Sequence, residues 1–205
     1  MTEQLFVRLR KIADTDYEIF PLLKQRYSPR VFMKQTILES HLNKLFEAVR
    51  WSPSSFNLQP WRFVYARKGT GAFQKIVDCL SDNNKKWAPG APLLMLAACN
   101  RQNADGTENF HAMLDLGLGL GNMAVQAQYM GIGLHHMAGI DRQMAQRLFK
   151  IPESYLVSSA IALGYYGGDV EELPEKYREK ELKDRSRMPQ TEFAFRERWI
   201  EQTVH

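Results

Sequence analysis

The sequence predicts an α/β or α+β sandwich, a mixed sheet flanked by helices. Three observations carry this expectation. Short segments with strand-like patterning alternate along the chain with segments of helical period. The run from Ala91 to Cys99 is apolar throughout and of buried-strand length. Asn109 to Met130 is apolar nearly all round, the mark of a buried central helix.

Taken in order, residues 1–15 mix Leu5, Phe6, Leu9 and Ile12 with Arg8, Arg10 and Lys11, the pattern of a short amphipathic helix. Tyr17 to Gln25 is a second helical segment with Pro21 in its first turn or at a kink. Thr36-Ile37-Leu38-Glu39 has the form of a capping box, and Leu42, Leu45, Phe46 and Val49 follow at helical spacing up to Trp51. Trp61, Phe63 and Tyr65 alternate as in a strand. After the Gly69-Thr70-Gly71 turn, Phe73, Ile76, Val77 and Leu80 mark a helix, and Asn83 to Trp87 is expected as a polar loop. Within the central apolar segment Gly117 and Gly121 share a face, which we explain by close helix packing. Gly119 completes a run whose spacing is not that of a dinucleotide fingerprint. Asp141 is placed to cap a helix containing Met144, Leu148 and Phe149, and Leu156 to Leu163 forms a further strand. Residues 171–187 are densely charged and expected at the surface, and Phe193 to Ile200 is expected as a terminal amphipathic helix.

Two stretches carry chemistry. In Ser52 to Trp61, two prolines fix φ and remove two main-chain donors, while Ser54, Ser55 and Asn57 offer groups that donate and accept. That suits a polar ligand with mixed edges; an ordinary Ser- and Asn-capped turn fits the composition as well. Arg26, Ser28 and Arg30 alternate along an extended segment, since Pro29 biases Ser28 away from the α region, so the three side chains lie on one side. Two guanidiniums and a hydroxyl there can cradle a phosphate monoester, although a solvated basic turn has the same residues.

At 205 residues, one domain with a proper core is expected. The 27 Lys and Arg against 23 Asp and Glu leave a net charge of +4 spread along the chain, a weak pointer to an anionic ligand and a poor one to nucleic acid. Cys79 and Cys99 are the two cysteines and form no metal-binding spacing, so no metal site and a reducing compartment are expected. The N-terminus lacks a signal-peptide pattern and no apolar stretch reaches a membrane span; a cytoplasmic protein is expected.

The run Ser52-Pro53-Ser54-Ser55-Phe56-Asn57-Leu58-Gln59-Pro60-Trp61 resembles the signature loop of the nitroreductase family of FMN-dependent oxidoreductases. Three further stretches resemble that family in order: Arg26-Tyr27-Ser28-Pro29-Arg30; Gly131-Ile132-Gly133 with Met137-Ala138-Gly139; and Arg185-Ser186-Arg187. The resemblance implies a three-layer sandwich with a mainly antiparallel sheet, in an intertwined homodimer with FMN at the subunit interface. Residues 1–16 are then an N-terminal extension and 17–205 a single FMN-binding domain. It also implies that Arg26, Ser28, Arg185 and Arg187 meet the FMN phosphate, with Tyr27 in the same segment, and that Arg30 lies beside the pyrimidine side of the ring. Pro53, Ser54, Ser55 and Asn57 would reach the FMN held mainly by the other subunit, with Asn84, Met137, Ala138 and Gly139 along the flavin edge. Ala138 stands where many relatives have Glu, and Trp87 falls about where some have Lys. The implied reaction is ping-pong: NADH or NADPH delivers hydride to FMN, which carries the chemistry with no catalytic side chain, and a nitroaromatic, quinone or similar acceptor is then reduced. Phe56, Phe110 and His111 are weak candidates for lining the acceptor pocket. Alternatives are a specialised flavoprotein of the same fold, such as a reductive dehalogenase, and a non-catalytic FMN-binding protein.

Overall fold

The computed structural model describes residues 3–199. Four strands, β1 (Trp61–Arg67), β2 (Leu93–Asn100), β3 (Ile132–Met137) and β4 (Tyr155–Tyr165), form one sheet in the order β1-β2-β4-β3. Every pairing is antiparallel. Period-two alternation sends successive side chains of β2 to opposite faces. Leu94, Leu96 and Ala98 enter one hydrophobic cluster, whereas Leu93, Met95, Ala97 and Cys99 enter the other.

Those clusters are the two seams of a three-layer sandwich. On one face lie α3 (Glu39–Arg50) and α6 (Ala112–Tyr129), supplying Leu42, Leu45, Val49, Leu116 and Met123. On the other lie α4 (Gly71–Cys79) and α7 (Arg142–Phe149), with Tyr177 from α8 (Glu175–Leu182). The cap foreseen at Asp141 forms, its carboxylate accepting from the Met144 N–H at 2.8 Å, and Thr70 caps α4 in the same way, its hydroxyl accepting from the Phe73 N–H. Shorter helices complete the chain: α1 (Glu3–Arg10), α2 (Pro21–Gln25, Pro21 in the first turn) and α5 (Asp82–Lys85).

Several local expectations are corrected. The helix after Thr36 starts at Glu39 with Leu38 as N-cap, because Ile37 is drawn into the core and its carbonyl is held by Arg67. No capping box forms. The polar segment 83–87 belongs to a helical turn, with Trp87 buried under it. On α6, Gly119 packs against α3: a Cβ there would meet Val49 Cγ1 at 3.0 Å. Among the described residues a Cβ at Gly117 or Gly121 would meet nothing within 4 Å, and Met113, Leu114, Leu118 and Tyr129 are exposed, so they leave one apolar side of this helix uncovered. The charged run 171–187 is not uniformly superficial, since Tyr177 and Glu181 are buried. Beyond it, residues 193–199 carry no helix; the last residue of the expected terminal helix, Ile200, lies outside the described residues.

Candidate functional site

The segment between α2 and α3 lies across the β3–β4 end of the sheet. Gly133 and Gly164 are paired across the strands, and a Cβ on either would collide with Pro29 or Phe32 at 2.4 and 2.6 Å. Pressed against these glycines, Tyr27, Pro29 and Phe32 are buried. Arg26, Ser28 and Arg30 lie between them and remain partly exposed, the one-sided alternation expected from the sequence. Tyr27 turns inward, its ring stacked on Tyr166 at 5.0 Å, and the Tyr166 hydroxyl donates to the Tyr27 carbonyl.

Arginines gather around this point. Arg8 of α1 lies over the Tyr166 ring, 5.1 Å from its centroid. Arg185 donates to the carbonyls of Lys11 and Lys24 at 2.8 and 2.9 Å, tying the N-terminal segment to the end of α2. Burial and then the neighbouring charges of Arg26 and Arg187 push the Arg185 pKa down. Among the described residues none of Arg26, Arg185 and Arg187 has a carboxylate partner. Clustered cations with no counter-charge favour an anion, and a phosphate dianion is the right size and charge.

Arg30 points elsewhere. Its guanidinium lies 6.0 Å from the centroid of the Trp87 ring, and Trp87 packs on His135 at 4.4 Å. His135 Nδ1 is 3.0 Å from the Pro29 carbonyl, which fixes the Nδ1–H tautomer. Burial, then the Arg30 charge, lowers the His135 pKa to about 4. Beside Arg30 and Trp87, a cleft of about 230 Å³ is also lined by Lys34, Lys68, Lys85 and Lys86. A larger cavity of about 320 Å³, walled by Val64, Leu96, Phe149, Ile151 and Tyr155, includes none of the predicted site residues.

At the end of β3, Met137 is buried while Ala138 is exposed. The Gly139 carbonyl accepts from the Ser81 N–H at 2.9 Å and from Asn84 Nδ2 at 3.0 Å. Asn84 is thus committed to shaping the Gly139 turn.

The loop from Ser52 to Pro60 is held in an unusual conformation. Phe56, Asn57 and Gln59 all have positive φ, at 49°, 56° and 47°, which costs of order 1 kcal/mol or more for each non-glycine residue. Four contacts fix it. Ser52 Oγ accepts from Asn122 Nδ2 at 2.7 Å and donates to the Ala48 carbonyl; Ser54 Oγ accepts from the Gln59 N–H; and the Ser55 N–H donates to Asp115. Asp115 is only 2% exposed. Pro53 and Asn57 are left outward, and Phe56 is 94% exposed. The loop is therefore anchored on α6 through Ser52 and Ser55 and leaves Pro53, Phe56 and Asn57 at the surface. Phe110 and His111, in edge contact with each other, are exposed just before α6.

The structure thus separates the predicted residues into an arginine cluster with Ser28, the Arg30–Trp87 cleft beside the lysines, the Asn84–Gly139 turn, and the loop on α6. Sequence reasoning missed three residues that organise them. Asp115, the lone acid in an apolar helix, was a visible signal; Lys11 and Glu181 sit in charged stretches that gave none.

A family model described as "Nitroreductase family" matches residues 23–80 and 71–165. A Stutzerimonas stutzeri (strain A1501) protein named "Putative NADH dehydrogenase/NAD(P)H nitroreductase" is 26% identical over 176 residues, covering 76% of this chain and 87% of its own. The crystal structure of an oxidoreductase containing FMN superposes with a TM-score of 0.87 at 30% identity, over 93% of this chain and 97% of that one. The nitroreductase family protein from Streptococcus pneumoniae TIGR4 shares the fold, with a TM-score of 0.67 at 18% identity over 85% and 98% of the two chains.

Proposed function

The chain belongs to the nitroreductase family, and from that premise we propose that it is an FMN-dependent oxidoreductase that takes hydride from NADH or NADPH and passes it to a nitroaromatic, quinone or similar electron-poor acceptor. The observation that carries the reading is the cluster of Arg26, Arg185 and Arg187 without a carboxylate, next to the Ser28 hydroxyl. An FMN phosphate fits it, and riboflavin, lacking the charge, would not be held. When bound, FMN supplies the hydride chemistry itself.

The protein's part is binding, orientation and charge. Arg26, Ser28, Arg185 and Arg187 hold the phosphate, with Tyr27 supporting them from below. Arg30 would supply a cation to stabilise the negative charge of the reduced cofactor. Asn84 fixes the Gly139 turn, where main-chain donors at Ala138 and Gly139 would serve the flavin, with Met137 anchoring the turn from the core. Pro53, Ser54, Ser55 and Asn57 act on the cofactor of a second subunit. Support for that subunit comes from α6, whose exposed Met113, Leu114, Leu118 and Tyr129 flank two bare glycines. Such a face calls for a covering helix, and a twofold copy of the same face supplies one. Arg8 and Lys11, in the 1–16 extension to the 17–205 domain, buttress the phosphate side.

The test is an anaerobic visible spectrum of the purified protein reconstituted with FMN, before and after NADH and then NADPH. Bleaching by either donor, followed by reoxidation with a quinone or nitroaromatic, is expected. Bound FMN that neither donor reduces would instead leave a non-catalytic or specialised flavoprotein. Failure to bind FMN at all would remove the reading.

A further inference from the structure

Behind Arg30 lies a carboxylate that the proposed reaction does not use. Glu181, near the end of α8, is 1% exposed. Its Oε2 accepts the Arg30 main-chain N–H at 3.0 Å and lies 3.8 Å from the Arg30 guanidinium, whereas Oε1 is buried with no hydrogen-bond partner among the described residues. Lys11, also buried, approaches from the N-terminal segment and donates to the Lys183 carbonyl two residues along the chain from Glu181.

A glutamine would satisfy the Arg30 N–H equally well without burying a charge. A half-satisfied carboxylate is a poor stabilising device, because desolvation offsets most of the attraction it gains. Its geometry makes sense as an electrostatic one: it grips the arginine by the main chain and stands 3.8 Å from the guanidinium, where its charge offsets part of that cation's without a direct hydrogen bond to it. We propose, on the reading that FMN binds beside Arg30, that Glu181 is the positioning residue for Arg30 and sets how much positive charge that side chain presents to the flavin.

The groups facing Glu181 define when this charge is present. Arg30 and Lys11 are cations, Tyr27 packs close by, and Asp184 and Arg10 act on Lys11 from the rim. Burial, opposed by Arg30 and Lys11, lifts the Glu181 pKa to about 7. Near neutral pH the carboxylate therefore gains and loses its proton, and the field of Arg30 at the flavin changes with it. Reduced flavin, the more anionic form, feels that change more than oxidised flavin.

The experiment compares the parent with Glu181→Gln, Arg30→Gln and the double variant, each reconstituted with FMN. The ratio of affinities for reduced and oxidised FMN is obtained from the bound midpoint potential across pH. In Glu181→Gln the ratio should exceed that of the parent by about threefold or more above about pH 8, and match it below about pH 6. In the Arg30→Gln background the same substitution should have a much smaller effect. Equal ratios at all pH values, or an undiminished effect without Arg30, would overturn the inference while leaving FMN binding intact. A parent that binds no FMN would overturn the functional reading instead. Should Glu181→Gln fail to fold, Lys11→Met serves: removing that cation should move the pH at which the parent's ratio changes upward, and an unmoved profile counts against the proposal.

Discussion

Asp115, on the long central helix, accepts the Ser55 N–H with both carboxylate oxygens, at 3.1 and 3.2 Å. This contact spans the chain between the strained loop and the helix whose uncovered face adjoins it. It explains how Phe56, Asn57 and Gln59, three non-glycine residues within four positions, keep positive φ: the loop is anchored at its start, so the unfavourable dihedrals are over-determined by its ends.

Asp115→Asn tests that anchor. The amide keeps the volume but turns one acceptor into a donor aimed at an N–H, and a charge-assisted bond is lost. We expect a loss of about 1–3 kcal/mol in urea denaturation. FMN retention should weaken by about tenfold if loop order governs the cofactor contact. An unchanged FMN affinity together with lowered stability would confine Asp115 to the fold.

The arginine cluster makes an internal comparison. Arg187 is exposed and bonds only to the carbonyl of its neighbour Ser186, so Arg187→Ala should lower FMN affinity, by about tenfold or more, with a stability change within about 0.5 kcal/mol. Arg185 also joins the carbonyls of Lys11 and Lys24, and Arg185→Ala should reduce both FMN affinity and the melting temperature. Fluorescence titration of FMN alongside thermal melts of the apo-protein separates the two; equal melts for both variants would contradict the assignment.

Much of this was legible where local chemistry decides. The buried β2 run, the periodicity of α3, the Asp141 cap and the 52–61 loop follow from residue types within a few positions of one another. What escaped depends on contacts distant in sequence. Glu39 begins α3 instead of Thr36 because Arg67, from another element, holds the Ile37 carbonyl and pairs with Glu39. Glu181 looks like its solvated neighbours in sequence, and only the folded chain sets Arg30 and Lys11 against it. The glycines of α6 show the same limit: their spacing announces a close approach, but Gly119 serves the core and Gly117 and Gly121 face outward, a distinction that needs the neighbouring helix.

That distinction is testable. Gly117→Arg places a charge where, among the described residues, nothing lies within 4 Å of the new Cβ, so the subunit should still fold. If the open face of α6 joins two copies, the variant should become monomeric by light scattering and lose FMN with it, because the loop's second cofactor is gone. Gly119→Leu, by contrast, would drive a branched side chain into Val49 and Trp61 and lower stability by about 1–3 kcal/mol. A Gly117→Arg protein that remains dimeric would place the interface elsewhere.

Glu181 and His135 flank Arg30 with opposite pH dependences. Glu181 rises from 4.5 to about 7 in the folded chain, so the protein binds more protons folded than unfolded between those values, and stability falls as pH rises through that window. His135 falls from 6.5 to about 4, so the unfolded chain binds more protons and stability rises with pH from about 4 to 6.5. Each effect is on the order of 3 kcal/mol, and they oppose each other across the shared range. The parent apo-protein should therefore show a nearly flat contribution from this pair between about pH 4.5 and 6.5. Glu181→Gln should expose the histidine, giving stability that climbs with pH, and His135→Asn should expose the glutamate, giving stability that declines. Urea midpoints measured across that range for the three proteins decide it: parallel profiles would mean that neither group carries the titration its surroundings imply.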